Sequence, residues 1–396
     1  MAVHPHQLDH LSEREDPMNQ DVSGSGKVID MHCHVGLLGD QVQGWGRMSD
    51  WYRQQMVYRV FLFYGRIDPD EVSDHTLREA TEEAICGSTV DHVVCLALDH
   101  VYDQGGHRRE DLTPMWVHND YVLDLCRTVG DKVLLGASVH PYDLNFRDRV
   151  RKYVEQGAVL LKWLPSAQRI DLADDRVQEA LVFLSKARDG GPLPLLLHVG
   201  PEYAIPSPDP RTWSYDFLSW SWWDRARNSL RISEKWHRPQ MRKIDENLRG
   251  GLREGAVIVF AHCGLPYYAP SWLAKVVEHS DFGTVSRYLR DFPADGSAGG
   301  RCYADVSAFV TPFRTGYFDA VRDLPRQSLL FGSDFPTPVF ELSADAGEMW
   351  EDFQAVLRGE LDRIIVPEGS LIEANYQELR KIFRGHPMFT NFGALL

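Results

Sequence analysis

The sequence predicts an α/β protein built as a (β/α)8 barrel, a TIM barrel in a single domain. Eight short apolar runs lie along the chain, helical patterns separate them, and polar residues stand where several runs end. Near-continuous apolar character is typical of parallel strands whose sheet is covered on both faces. Alternating strands and helices imply right-handed crossovers. Eight such units favour closure into a barrel, and the pattern alone leaves an open, doubly wound sheet as the alternative.

The predicted strands are Val28–His34, Val90–Asp99, Lys132–His140, Ala158–Leu164, Leu195–Gly200, Ala256–Gly264, Cys302–Ala308 and Ser328–Pro336. Apolar spacing of the helical kind predicts the elements between them. These helices are Thr76–Ser88, Trp116–Val129, Asn145–Glu155, Arg176–Ala187, Met241–Arg253, Trp272–Ser280 and Phe318–Leu324, with Ala344–Arg358 and Leu371–Phe383 after the last strand.

Two connections, after the first and fifth strands, are unusually long and rich in aromatic residues. They run from Val35 to about Asp74 and from Pro201 to about Pro239. Long loops in compact domains are commonly lids or binding loops, and aromatic content argues against disorder. We therefore expect these insertions to wall or cover a pocket, with a satellite core or a subunit interface as the alternative.

The composition is that of a globular protein, with 396 residues, 43% hydrophobic and 25% charged. Residues 1–26 are expected to form a flexible tail, and residues 27–396 the barrel domain. The net charge of −15 argues against nucleic-acid and membrane partners, and no apolar run is long enough to span a bilayer. The N-terminus lacks a secretory pattern, and six scattered cysteines without a CxxC pair indicate reduced thiols in a cytoplasmic protein. The expected partner is a small-molecule substrate, and the sequence leaves a homo-oligomer open.

His32 and His34 end the first predicted strand, within the stretch DMHCH. Side chains alternate along a strand, so the two imidazoles share one face and Cys33 points away from it. Two imidazoles on one face can reach a single metal ion. The same placement recurs at the ends of three later runs, in His198, His262 and Asp334. If the barrel closes, all five groups meet at one mouth.

DMHCH at the first strand, HVG at the fifth, AHCGLP at the sixth and GSDFP at the eighth form a recurrent set. This set resembles the amidohydrolase superfamily, and within it the amidohydrolase-2 branch, which includes aminocarboxymuconate semialdehyde decarboxylase. The resemblance covers roughly Lys27 to Phe383, where the helix around Asn375 is similar to the branch's terminal helix. These motifs are specific for the fold and the metal site, but they do not identify the substrate.

The resemblance implies one divalent metal ion, usually Zn²⁺ with Mn²⁺ as an alternative, held by His32, His34, His198 and Asp334. It also implies that His262 is catalytic and lies near the substrate. A catalytic zinc lowers the pKa of its water to about 7, which suits hydrolysis. We expect Asp334 to be the general base, and His262 to orient the nucleophile or protonate the substrate.

Lys162 ends the fourth strand, where binuclear amidohydrolases carry a carboxylated lysine that bridges two metals. The stretch KWLPSAQ is more similar to the mononuclear branch, so we favour a lysine beside the ligands or the substrate over a bridge. His140, at the end of the third strand, either faces the pocket or anchors a loop. Further candidates for substrate binding are Arg53, Arg59, Arg66 and Trp222.

The expected function is metal-dependent hydrolysis of a C–N or C–O bond, in an amide, lactone or ester, of a small and partly aromatic substrate. The alternative is a lyase on the same site, a non-oxidative decarboxylase or hydratase of an aromatic or unsaturated carboxylic acid. An arginine held near the metal would favour decarboxylation. A third hypothesis is a barrel that binds a ligand without turnover. No GxGxxG, Walker or GxSxG motif supports another chemistry.

Overall fold

A computed structural model describes residues 26–41, 44–200, 202, 204–207, 234–264, 281–310, 314, 317–339, 355 and 368–396. The predicted tail therefore lies outside the described residues, apart from Gly26. The predicted helix Trp272–Ser280, most of Ala344–Arg358, Trp222 and most of the second insertion also lie outside them.

The strands are β1 Ile29–His34, β2 Gly46–Met48, β3 His92–Leu96, β4 Met115–Val117, β5 Val133–Ala137, β6 Leu160–Trp163, β7 Leu195–Leu197, β8 Val257–Phe260, β9 Arg301–Asp305 and β10 Leu329–Leu330. Eight of them form one parallel sheet in the order β1-β3-β5-β6-β7-β8-β9-β10. The sheet closes because Met31 N donates to Phe331 O at 3.0 Å and Asp334 N donates to His32 O at 2.7 Å. The predicted barrel and its eight strands are confirmed, and the open sheet is wrong.

Strand periodicity explains why polar groups collect at one end of this barrel. Leu160 and Tyr303 belong to a compact apolar cluster that is separate from the larger core against the helices. Two residues further along the same strands stand the buried side chains of Lys162 and Asp305. Because residues i and i+2 share a face of a strand, these polar groups continue the interior column toward the C-terminal mouth.

The helices are Asp50–Arg53, Met56–Tyr64, Asp74–Cys86, Asn119–Val129, Phe146–Glu155, Pro165–Gln168, Asp175–Leu184, Glu234–Arg253, Phe282–Asp291, Phe318–Arg322, Leu371–Ile382 and Met388–Asn391. The helix predicted over Trp116–Val129 begins only at Asn119. The reason is that Met115–Val117 pairs antiparallel with β2 as strand β4. A capping box at Ser73 marks the start of the helix that follows the first insertion.

The first insertion is structured, because it contains β2 and the helices Asp50–Arg53 and Met56–Tyr64. The hydroxyl of Tyr52 donates to Ala204 O at 2.9 Å, which ties this insertion to the segment after β7.

All six cysteines are free thiols. Within the described residues, we find no helix with the length and apolarity needed to cross a bilayer.

Candidate metal centre

Three predicted ligand side chains meet where β1 and β10 close the barrel. His32 Nε2 lies 3.1 Å from His34 Nε2 and 3.4 Å from Asp334 Oδ1, and His34 Nε2 lies 3.3 Å from Asp334 Oδ1. Two ligand atoms at about 2.1 Å from a tetrahedral zinc ion are about 3.4 Å apart. These side chains therefore have the type and the spacing of a divalent metal site.

His198 and His262 stand beside this group. The ring of His262 lies 5.1 Å from that of His32 and 5.2 Å from that of His198, centroid to centroid. Donor atoms of His32, His262 and Asp334 all lie within 4.8 Å of one another. His198 Nε2 is buried, and no described residue forms a hydrogen bond with it. A buried ring nitrogen without such a partner fits a metal ligand.

Several site residues owe their positions to turns rather than to strands. β8 ends at Phe260, and His262 and Cys263 follow with φ of 53° and 52°, while Asp334 has φ of 57°. This left-handed region is uncommon for residues other than glycine, and such outliers concentrate at functional sites. Cys263 is also buried, and this left-handed turn places it there.

Asp305, at the end of β9, is a site residue that the sequence reasoning missed. Its Oδ2 accepts from His32 Nδ1 at 3.0 Å, and its Oδ1 accepts from His262 N at 3.2 Å. A carboxylate on Nδ1 fixes the tautomer that leaves Nε2 available to a metal ion. The signal was present, because Asp305 is an acidic residue within the apolar run CYADVSA.

Lys162 is buried in the same place, with Nζ 3.2 Å from His32 Nε2. Burial lowers the pKa of this lysine to about 8. It therefore stands beside a proposed ligand, and it is not among the residues that line the cavity.

The electrostatics favour neutral imidazoles and an ionised carboxylate. Burial lowers the pKa of His198 to about 3 and that of His262 to about 4. Burial alone would raise the pKa of Asp334, but His262, His32 and His34 hold it well below its usual range. Neutral imidazole and carboxylate are the forms that bind metal.

A cavity of about 530 Å³ opens beside these groups. Apolar side chains of the first insertion, among them Met56, Val57 and Phe61, form one wall. The polar residues that line it are His34, Glu202, His198, His262, Arg314, Asp334, Tyr52, Tyr58, Thr81 and Thr337. The first insertion therefore contributes a pocket wall, as predicted.

The arginines predicted to bind substrate do not lie at this cavity. Arg53, Arg59 and Arg66 are exposed and are not among the residues that line the cavity, so their positions do not support substrate contact. The arginine that does line it is Arg314, in the stretch TPFRTG, which carries no recognisable motif.

His140 is engaged within the protein. Its Nε2 lies 2.9 Å from Gln168 O, and its Nδ1 accepts from Tyr142 N at 3.1 Å. Both ring nitrogens have partners and the residue does not line the cavity, which are the contacts expected of a loop-anchoring histidine.

Comparison with known proteins gives similar shapes at low identity. No family model and no curated sequence matches the chain. An uncharacterized TIM-barrel protein from Bordetella bronchiseptica is 13% identical with a TM-score of 0.45, over 93% of this chain and 99% of that one. A probable 2-pyrone-4,6-dicarboxylic acid hydrolase from Acinetobacter baumannii is 13% identical with a TM-score of 0.42, over 90% and 98%. A 5-carboxyvanillate decarboxylase from Sphingomonas paucimobilis is 13% identical with a TM-score of 0.38, over 91% and 99%.

These solved structures thus include a barrel without a described activity, a probable hydrolase and a decarboxylase. At such identities and TM-scores they decide nothing about the reaction of this chain. The barrel itself rests on its strand order and closing hydrogen bonds, and the chemistry rests on the side chains at its mouth.

Proposed function

We propose that this chain is a metal-dependent hydrolase that cleaves a C–N or C–O bond, in an amide, lactone or ester, of a small and partly aromatic substrate. One observation carries the proposal: the polar residues from separate strand ends lie together beside a single cavity. These residues are His32, His34, His198, His262 and Asp334.

The donors proposed for one divalent cation are His32, His34, His198 and Asp334. Imidazole-rich ligation suits zinc, and manganese is the alternative. A bound cation would supply Lewis acidity, which polarises a substrate and acidifies water.

Asp334 is the proposed proton acceptor. It is ionised, and its Oδ2 accepts from Thr337 Oγ1 at 2.8 Å, which fixes the orientation of the carboxylate. His262 Nδ1 lies 4.0 Å from this oxygen and 2.8 Å from Ser307 Oγ. With a pKa lowered to about 4, chiefly by burial, His262 is neutral at pH 7. This favours a role in orienting reacting groups over donating a proton.

The cavity supports the proposed substrate class. Its volume of about 530 Å³ is that of a small-molecule site. The wall from the first insertion is largely apolar and includes the rings of Tyr52 and Phe61. Apolar side chains bury a ring-containing substrate and exclude bulk water from the reacting groups.

A lyase is the second candidate, and Arg314 is the observation that favours it. This arginine is 6% exposed, lines the cavity with His262 and Asp334, and donates to Ala308 O at 3.2 Å. A buried guanidinium is a good partner for a substrate carboxylate. Such a substrate would suit non-oxidative decarboxylation or hydration at the same site.

The test combines metal analysis with a substrate screen on purified, untagged protein. We expect about one zinc or manganese ion per chain, and cleavage of amides or lactones that Asp334→Asn does not perform. No metal after supplementation would overturn the proposal. About two ions would support a carboxylated Lys162 bridge.

Products separate the remaining alternatives. Release of CO₂ from aromatic carboxylates, lost in Arg314→Met, would replace hydrolysis with the lyase. Bound metal without any turnover would leave the non-catalytic barrel.

A further inference from the structure

Glu202 lies four residues after His198, and its carboxylate returns to the same imidazole. Its Oε2 stands 3.3 Å from His198 Nε2, and its Oε1 accepts from Ile205 N at 2.8 Å. Both side chains are buried, with 6% of His198 and 5% of Glu202 exposed. The segment after β7 therefore fixes a second carboxylate among the residues that line the cavity.

The contact between Glu202 and His198 is close, yet His198 Nε2 forms no hydrogen bond with any described residue. A buried polar atom without a partner destabilises the folded protein. The cost disappears if a third group binds both atoms. Two ligand atoms on one tetrahedral ion are about 3.4 Å apart, and the two atoms here stand 3.3 Å apart.

The same spacing recurs among the proposed ligands. His34 Nε2 and Asp334 Oδ1 are 3.3 Å apart, and His32 Nε2 and Asp334 Oδ1 are 3.4 Å apart. Glu202 Oε2 and His198 Nε2 thus have the same separation as the other pairs of proposed ligand atoms. Glu202 is not among the four ligands of the proposed function, which are His32, His34, His198 and Asp334.

We infer that Glu202 is an additional ligand of the metal ion, binding through Oε2 beside His198. The inference rests on the metal of the proposed function and extends its donors to three imidazoles and two carboxylates. Two carboxylates balance the charge of a divalent ion, which matters at a site so removed from water. The added oxygen also makes the donor set harder, so it raises the affinity for Mn²⁺ more than that for Zn²⁺.

The experiment compares metal-free wild type, Glu202→Gln and a control, Glu246→Gln. The control makes the same chemical change at a side chain that is 57% exposed and pairs with Arg242. Titration calorimetry with Zn²⁺ and Mn²⁺ gives affinities, and absorption of added Co²⁺ reports the coordination number. We expect Glu202→Gln to lose at least about 10-fold in Mn²⁺ affinity, less in Zn²⁺ affinity, and to show stronger Co²⁺ bands typical of fewer ligands. The control should match wild type.

The outcomes separate this inference from the proposed function. If wild type binds no ion, the proposed function fails. If wild type binds one ion and Glu202→Gln has the same affinities and Co²⁺ spectrum, Glu202 is not a ligand and the function stands. A variant that changes only the substrate KM would also overturn the inference. Should Glu202→Gln fail to fold, Glu202→Asp withdraws the carboxylate by one methylene, and the same losses are expected in smaller degree.

Discussion

Two buried polar clusters lie at the C-terminal ends of the barrel strands, and they differ in what satisfies them. The first, the metal cluster, contains His32, His198 and Asp334, and the last two line the cavity. The second, the anchor cluster, contains Asp99 and His140, which follow β3 and β5, together with Arg149.

The anchor cluster is satisfied from within the protein. Asp99 Oδ2 accepts from Arg149 Nη1 at 2.8 Å and from His140 N at 3.0 Å. Arg149 Nη1 also donates to Tyr102 Oη at 3.0 Å. None of these residues lines the cavity. The cluster therefore joins neighbouring loops and contributes no side chain to this cavity.

The comparison shows how to distinguish a structural from a functional polar residue at a strand end. His140 and His198 both follow apolar strands, and nothing local in the sequence separates them. Both ring nitrogens of His140 have protein partners, whereas His198 lines the cavity and its Nε2 has no hydrogen-bond partner among the described residues. The unsatisfied atom beside a cavity, rather than the residue type, indicates chemistry.

Asp99→Ala should have the largest effect, and it should be on stability. Removal of this buried carboxylate leaves Arg149, whose side chain is 17% exposed, with fewer acceptors, and breaking a buried pair costs about 3–5 kcal/mol. Urea denaturation should show that loss in the free energy of unfolding, while the folded variant keeps its metal content. A loss of metal with unchanged stability would mean that the two clusters are not distinct.

The pH dependence of His140 comes next. Burial lowers its pKa from 6.5 to about 4, so the unfolded chain takes up a proton that the folded protein resists. Its contribution to stability is complete above pH 6.5 and is lost as pH falls toward 4. In metal-free protein, the difference in the free energy of unfolding between wild type and His140→Asn should therefore decrease by about 3 kcal/mol between pH 7 and pH 4. A gap that is constant with pH would show that His140 is not held neutral.

Asp305→Asn should have the smallest effect, and it should fall on the metal. An amide in place of the carboxylate weakens the hold on His32 Nδ1, and changes of this kind lower metal affinity about 10- to 100-fold. Calorimetric titration with the metal ion measures the loss of affinity. Asp99→Asn, the same change in the anchor cluster, is the control. Unaltered affinity would remove Asp305 from the support of the site.

Much of the fold could be predicted because strand signals in this chain are local. Each of the eight apolar runs overlaps a barrel strand, although β10 keeps only Leu329–Leu330 of the predicted Ser328–Pro336. The shared direction of His32 and His34 also followed from strand alternation, and their Nε2 atoms lie 3.1 Å apart.

The rest of the site depends on contacts that no local pattern records. Arg314 and Glu202 reach the cavity from loops, and the left-handed turns at His262 and Asp334 follow no strand rule. Asp305 fits the rule that selected Asp334, because it is an acidic residue at the end of an apolar strand. The exposure of Arg53, Arg59 and Arg66 follows from how the first insertion packs, which their sequence context does not reveal.

The seam that closes the barrel has a consequence for the newly made chain. Asp334 N donates to His32 O across this seam, so the proposed metal site joins a residue made early in synthesis to one made late. A nascent chain that lacks β10 can offer paired imidazoles but no Asp334 carboxylate. High-affinity loading with metal would then occur only on barrels whose last strand is in place, and the metal content of a preparation would report how many chains have finished folding.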